Sequence, residues 1–255
     1  MKKINLEKFR KELNKQYDPN SPIMFHLKYS EVMNACREIR VSSGAGSGFI
    51  FKYKNNNFLV TAAHVVKDKR RISKRKISLT QFDGTLYEFN GEIFYHENKK
   101  CDVCVIKLPE DYIAISTLEY HYEQIVVGEE YFYFGYPGSV DTSMAITPTK
   151  GSGTPISVIR RGIVSTFSEQ DDIHYMLVDS LATAGFSGSP LVGFDKKGNS
   201  FVIGVINSSN METGNIIDKH AEEQELWSIA HTGLTEATHI LYVIDIIERY
   251  TLSGQ

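Results

Sequence analysis

The sequence has few cysteines, no long apolar run and no excess of charge of one sign, and each absence excludes a class of protein. Three cysteines in 255 residues are too few, and odd in number, for a disulfide-stapled scaffold. No run of eighteen apolar residues occurs, so we expect no membrane-spanning helix and no membrane partner. The formal net charge of −3 does not indicate a nucleic-acid partner for the chain as a whole.

A secretory signal is also lacking, because residues 1–17 carry charges throughout and contain no apolar core. We therefore expect a cytoplasmic protein. Cys101 and Cys104 form a C-x-x-C pair, but no second pair and no nearby histidine cluster completes a metal site. We expect no metal and no cofactor, and two separate thiols on opposite faces of a strand.

Residues 183–190 read T-A-G-F-S-G-S-P and set Ser187 between two glycines. Gly185 and Gly188 permit tight turns that a Cβ atom would disfavour. Such a turn can aim the backbone N–H groups of Gly185 and Ser187 at one point, where a carbonyl oxygen becomes an oxyanion during acyl transfer. Taken alone, the stretch is equally compatible with an ordinary Gly/Ser loop that closes a hairpin.

Two further stretches offer this serine a base and an acid. Residues 59–66 (L-V-T-A-A-H-V-V) lead an apolar strand into His64, which has the chemistry of a general base near neutral pH. Residues 100–108 (K-C-D-V-C-V-I-K-L) open a second apolar strand with Asp102, a carboxylate that is costly to bury without a partner such as a histidine N–H. The order His64, Asp102, Ser187 is that of the chymotrypsin-type triad.

On these residues the sequence resembles the trypsin-like serine proteases, and most of all the HtrA-type bacterial branch, here without a PDZ domain before Gln255. The resemblance spans about residues 30–250. It rests on the ordered motifs G-S-G-F, T-A-A-H, D-V-C-V-I-K-L, R-G-I-V-S and G-F-S-G-S-P. It implies an all-β fold of two antiparallel six-stranded β-barrels with an N-terminal and a C-terminal helix.

The function implied is that of a serine endopeptidase that hydrolyses polypeptides through His64, Asp102 and Ser187 and an acyl-enzyme intermediate. Gly185 and Ser187 would form the oxyanion hole. Two alternatives remain open at this point: a catalytically silent protease fold that binds a partner chain, and an esterase that uses the same acyl chemistry.

The resemblance also locates the pocket for the side chain before the scissile bond, with Leu181 at its base and Ile206, Asn207 and Ser208 as walls. Because Leu181 is uncharged, we expect small or medium apolar residues there rather than Arg or Lys. Phe186 stands where digestive relatives carry an aspartate that binds a newly made N-terminus. We therefore expect activity that does not await removal of a propeptide.

The predicted organisation follows the same family pattern. Residues 2–17 show a helical apolar face opposite a basic one. Residues 67–76 are strongly basic but lack interleaved aromatic residues, so we favour an exposed loop over a nucleic-acid patch. Residues 207–236 are long and polar, and we interpret them as an insertion that is a candidate lid or, like the N-terminal arm, a docking site for a regulatory partner. The predicted boundaries are an arm at 1–29, a protease domain at 30–250, a first barrel at about 30–118, a second barrel at about 125–236 and a helix at 237–250.

Overall fold

Strands dominate the protein, as expected. The computed structural model describes residues 27–67, 73–81, 84–120, 125–138, 156–217 and 223–253. These residues form two closed antiparallel barrels of six strands each, which confirms the predicted fold class. The predicted helix over 2–17 and the basic residues 68–72 lie outside the described residues. None of the described helices is long and apolar enough to cross a membrane.

The first barrel is built from short strands in which apolar residues face alternately into the barrel and toward the second barrel. In the stretch 58–60, for example, Leu59 is buried in the barrel core, whereas Phe58 and Val60 are buried in the cluster between the barrels. Both faces are therefore covered, which explains the continuous apolar run. The strands are β1 (Cys36–Val41), β2 (Gly44–Tyr53), β3 (Asn56–Ala62), β4 (Lys74–Thr80), β5 (Leu86–Tyr95) and β6 (Val103–Lys107).

The second barrel repeats this arrangement, with Tyr133, Met176, Leu191 and Ile206 in its core. Its strands are β7 (Glu130–Gly135), β8 (Val158–Gln170), β9 (Ile173–Asp179), β10 (Pro190–Phe194), β11 (Ser200–Ile217) and β12 (Glu223–His239). They are neighbours in the order β10, β11, β12, β9, β8 and β7 and close the barrel.

Three helices complete the described chain: α1 (Leu27–Ala35), α2 (Ala63–Val66) and α3 (Leu241–Ser253). The largest core cluster joins both barrels to α1 and α3, and includes Phe51, Phe134, Val205 and Ile247. The two barrels are thus packed on each other through buried apolar side chains, and loops from both barrels meet at one edge of this cluster.

The polar stretch 207–236, interpreted from the sequence as an inserted lid or docking site, consists largely of strand. Its described residues, 207–217 and 223–236, extend β11 and β12 as an antiparallel ladder, with pairs such as Met211↔His231 and Asn215↔Trp227. Two barrel strands simply continue past the barrel, and their pairing is made by backbone hydrogen bonds. A ribbon of this kind needs no strong alternation of apolar residues, so its strands carry no apolar pattern that would predict them.

The ends of the protease domain also differ from the prediction. The C-terminal helix begins at Leu241 rather than at residue 237. Ala237 and Thr238 still belong to β12, because they pair with Ile206 and Val205 of β11. At the other end, residues 30–35 belong to α1 and the first barrel strand begins at Cys36. Lys74, Arg75 and Lys76, predicted as part of an exposed loop at 67–76, belong instead to β4 (Lys74–Thr80).

Candidate active site

His64 and Asp102 come together at one rim of the first barrel. β3 and β6 are paired as far as Ala62↔Val103, so the residues that follow β3 and precede β6 are neighbours. His64 Nδ1 lies 2.6 Å from Asp102 Oδ2. Because a carboxylate only accepts hydrogen bonds, Nδ1 carries the proton and Nε2 is left as an acceptor that faces outward.

Asp102 also holds the backbone on which His64 stands. The N–H of His64 donates to Asp102 Oδ1 at 2.9 Å, and the N–H of Ala63 donates to the Asp102 carbonyl oxygen at 3.1 Å. These are N–H groups of the first turn of α2, which have no partner within the helix. The same residue therefore orients both the imidazole and its backbone.

The pKa of His64 is raised above its usual 6.5, chiefly by the hydrogen bond to Asp102, and burial opposes part of this increase. The imidazole side chain is 48 % exposed and that of Asp102 is 31 % exposed. The raised pKa means that the pair stabilises a positively charged His64, which is the form a general base reaches after it takes a proton.

Ser187 lies in a tight turn that precedes β10. Gly185 and Gly188, on either side, have φ angles of 100° and 88°, in the region where glycine is favoured. The Ser187 hydroxyl donates to the carbonyl oxygen of Asn207 at 3.0 Å. A hydroxyl has one proton, so in this arrangement the proton is not given to His64.

The Gly185 and Ser187 backbone N–H groups have no acceptor within the described residues. The carbonyl oxygen of Ala184 instead accepts the N–H of Gly138 at 3.0 Å. Across a trans peptide bond the carbonyl and the following N–H point in opposite directions. The Gly185 N–H is therefore directed away from Gly138, and it remains available to an incoming oxygen.

Ser47, a fully buried residue of β2, attaches this turn to the first barrel. Its N–H donates to the Ser187 carbonyl oxygen at 2.9 Å, and its Oγ donates to the Gly185 carbonyl oxygen at 2.6 Å. The same Oγ accepts the N–H of Tyr136 at 2.8 Å. One small side chain therefore ties two segments of the second barrel to the first.

Gly188 is packed so closely against the first barrel that no side chain fits. A Cβ atom there would collide with the Ser47 carbonyl oxygen and with Thr61 Oγ1. Its N–H donates to the Ile206 carbonyl oxygen at 2.7 Å. The glycine is required here by the close approach of two backbones, as well as by its positive φ.

Phe186 is fully buried in the second-barrel core. It packs edge-on against Tyr133, with ring centroids 5.2 Å apart, and the Arg160 guanidinium lies 5.6 Å from its ring centroid. Phe186 is therefore anchored by hydrophobic packing, at the position where the resemblance predicted that no ion pair with a new N-terminus forms. Ser189, two residues after the nucleophile, has a buried Oγ with no hydrogen-bond partner among the described residues.

The four predicted pocket residues do not all line a common wall. Leu181 is half-buried and Ser208 is exposed, but Ile206 is fully buried in the barrel core. The amide of Asn207 turns toward Asp102 instead of toward a pocket. Its Nδ2 donates to the Asp102 carbonyl oxygen at 2.7 Å, and its Oδ1 accepts from the Thr238 N–H at 2.8 Å.

Sequence reasoning thus missed Ser47, and it missed the contact of the Asn207 amide with Asp102. Ser47 lies within the G-S-G-F motif, but nothing local in that motif indicates a contact 138 residues away. The described residues contain no group of three His, Cys, Asp or Glu side chains that could hold a metal ion. Cys101, which precedes β6, and Cys104, which lies within it, pack into different core clusters.

Two six-stranded barrels, with a histidine–carboxylate pair on one and a glycine-flanked serine on the other, define the class of chymotrypsin-like serine protease domains. The family comparison agrees: the model of the "Trypsin-like peptidase domain" matches residues 46–205. The chain therefore belongs to the trypsin-like peptidase domain family.

Its relatives include HtrA-type serine proteases. Serine protease HTRA1B of Danio rerio is 26% identical over 175 residues, which cover 69% of this chain and 33% of that protein. The chain thus matches about a third of the length of this relative. Among solved structures, a serine endoprotease from Yersinia pestis is similar with a TM-score of 0.57 and 15% identity, over 92% of this chain and 69% of that one. The HtrA-type protease AlgW with tripeptide gives 0.57 and 17%, over 89% and 64%. At such identities these structures establish the fold alone.

Proposed function

We propose that the protein is a serine endopeptidase that hydrolyses polypeptides through an acyl-enzyme. The observation that carries the proposal is the 2.6 Å hydrogen bond between His64 and Asp102. Asn207 links this pair to the nucleophile, because it accepts the Ser187 hydroxyl and donates to Asp102. Neighbouring N–H groups without acceptors, on Gly185 and Ser187, support the same chemistry.

In the proposed mechanism, the Ser187 hydroxyl rotates from the Asn207 carbonyl to His64 Nε2. His64 takes its proton as Oγ attacks the scissile carbonyl carbon, and Asp102 stabilises the resulting imidazolium. The N–H groups of Gly185 and Ser187 bind the oxyanion. His64 then gives the proton to the leaving amine, and a water molecule repeats the sequence to release the acyl group.

The extended substrate has a place to pair beside the serine. β10 covers β11 only up to the pair Pro190↔Val205, so beyond Asn207 one edge of β11 has no neighbouring strand among the described residues. An exposed strand edge can accept a peptide as an added strand. The uncharged Leu181 supports the predicted preference for an apolar residue before the scissile bond.

A fluorophosphonate probe tests the proposal, since it reacts with an activated serine hydroxyl. We expect labelling of the wild-type protein, and loss of labelling in Ser187→Ala and in His64→Ala. Equal labelling of all three, or none in the folded wild-type protein, would leave the binding module as the better account. A peptide library then separates a peptidase from an esterase, and dominant cleavage after Arg or Lys would refute the role given to Leu181.

A further inference from the structure

A half-buried carboxylate, Glu236, lies one strand behind the open edge of β11. It pairs across the β11–β12 ladder with Ser208 and across the β12–β9 ladder with Leu177. Residues directly opposite in an antiparallel pair have side chains on the same face. The next residue, Ala237, is fully buried in the barrel core, so Glu236 and Ser208 share the outer face.

Within the part of the chain that the structure describes, Glu236 has no cation beside it. Its side chain forms no hydrogen bond and no ion pair with any of the described residues. Its pKa is raised above the usual value, first by burial and then by the negative charge of Asp102, which places it close to the candidate triad. Burial, and after it negative charges that include those of Glu236 and Asp102, raise the pKa of Tyr175 to about 12.

A half-buried carboxylate without a partner is costly, and a nearby positive charge would stabilise it. The side chain between Glu236 and the open edge is that of Ser208, which is too short to cover it. Glu236 can therefore be reached from the edge where an extended peptide would pair. A positively charged side chain of that peptide would supply the partner that the described residues do not.

The register identifies which substrate residue faces Glu236. If the proposed function is correct, the residue before the scissile bond lies opposite Asn207, whose carbonyl is 3.0 Å from the Ser187 hydroxyl. The preceding residue then lies beside Ser208. Because side chains alternate along a strand, this second residue points to the face that carries Glu236. The backbone of this second residue lies two strand spacings, about 10 Å, from β12. Only a long side chain can span that distance to Glu236.

We propose that Glu236 is a specificity-determining residue that selects Arg or Lys at the second position before the scissile bond. This inference rests on the proposed function and deepens it, because it names a substrate class: peptides with an apolar residue at the cleavage site and a basic residue one position upstream.

The test compares kcat/KM for three peptides that differ only at this second position, which carries Arg, Ala or Glu. The wild-type protein should prefer Arg over Ala by about tenfold, the order that an ion pair at a partly buried interface supplies. Glu236→Gln should reduce this preference to within about twofold, and Glu236→Lys should favour the Glu peptide. The matched control is Glu110→Gln, an exposed glutamate beyond the far end of β6, which should leave the preference unchanged.

Equal cleavage of the three peptides by the wild-type protein, or an Arg preference that persists in Glu236→Gln, would overturn this inference while leaving the proposed function intact. The wild-type comparison needs no variant, so it decides even if a substitution impairs folding. If the wild-type protein cleaved no peptide and took up no fluorophosphonate, the proposed function would fail and this inference with it.

Discussion

His64 and Asp102 are held by hydrogen bonds within the first barrel, whereas the turn around Ser187 is held in large part by contacts that cross from the second barrel to the first. The His64 ring and its N–H both bind Asp102. In contrast, the carbonyl oxygens of Gly185 and Ser187 both bind Ser47 of β2. The acid–base half of the site is therefore held chiefly within the first barrel, with a contact from Asn207 Nδ2 to the Asp102 carbonyl oxygen that crosses from the second. The nucleophile half depends far more on how the barrels dock.

This difference explains how the oxyanion turn can be ordered without a newly made N-terminus. In place of an ion pair, Phe186 is buried beside Tyr133, and Ser47 secures the turn from the opposite side.

The largest expected effect is that of Ser187→Ala, which removes the nucleophile from the second-barrel half. We expect a loss of about 10⁶ in kcat, as for other serine proteases whose nucleophile is removed. The fold should persist, because one half-buried hydroxyl is lost. Peptide turnover and the thermal midpoint check this, and cleavage at the wild-type rate would exclude Ser187 as the nucleophile.

Asp102→Asn should have the next largest effect and should act on the first-barrel half alone. The amide can donate to His64 Nδ1 and so favours the wrong tautomer, which costs about 10⁴ in kcat in a triad of this type. Steady-state kinetics measure the loss, with KM expected to change little. A variant that kept a tenth or more of the wild-type kcat would show that Asp102 does not orient His64.

Ser47→Ala tests whether the nucleophile half depends on the first barrel. It leaves the Gly185 carbonyl oxygen and the Tyr136 N–H without their partner, at a cost of about 1–3 kcal/mol. We expect kcat to fall by about 10- to 100-fold, less than for the loss of a triad member, because the N–H groups of the oxyanion turn remain present.

Ser200→Ala is the matched control for this change, since Ser200 is also a buried, hydrogen-bonded serine, with Glu31 as its acceptor at 3.0 Å. It should lower the free energy of unfolding similarly and leave kcat unchanged. Equal kcat values for both variants would contradict the role of Ser47 as an anchor of the turn.

The smallest effect is a shift in pH dependence. Acylation needs neutral His64, and its pKa is raised chiefly by the hydrogen bond to Asp102. The value of kcat/KM should therefore rise with pH through a midpoint above 6.5, and Asp102→Asn should move that midpoint to lower pH. A pH–rate profile for both proteins checks the sign, and an unchanged or higher midpoint in the variant would contradict it.

Much of the fold could be predicted because each barrel strand carries its own signal. The run at 58–62 is apolar on both faces, and turns such as that at Lys54 separate it from its neighbour. The strand ladder within 207–236 could not be found in this way, because it is made by the backbone of a polar sequence. The start of α3 at Leu241 was missed because pairing of Ala237 and Thr238 with β11 overrides a helical pattern of apolar residues.

The candidate triad could be selected from local motifs, whereas its supports could not. His64, Asp102 and Ser187 each sit in a recognisable stretch, and their order completes the pattern. The contacts of Ser47 with Gly185 and of Asn207 with Asp102 join residues more than 100 positions apart. Such contacts follow from the docking of two barrels, which no single stretch of sequence encodes.

The central claim is that contacts within the folded chain hold the oxyanion turn ready for reaction, with no new N-terminus required. The most direct test is the intact mass of the 255-residue chain before and after reaction with a fluorophosphonate. The account predicts that the uncleaved chain gains the mass of one probe molecule less that of the HF released, and that Ser187→Ala gains none. Uptake of the probe only by a shortened species with a new N-terminus would contradict it.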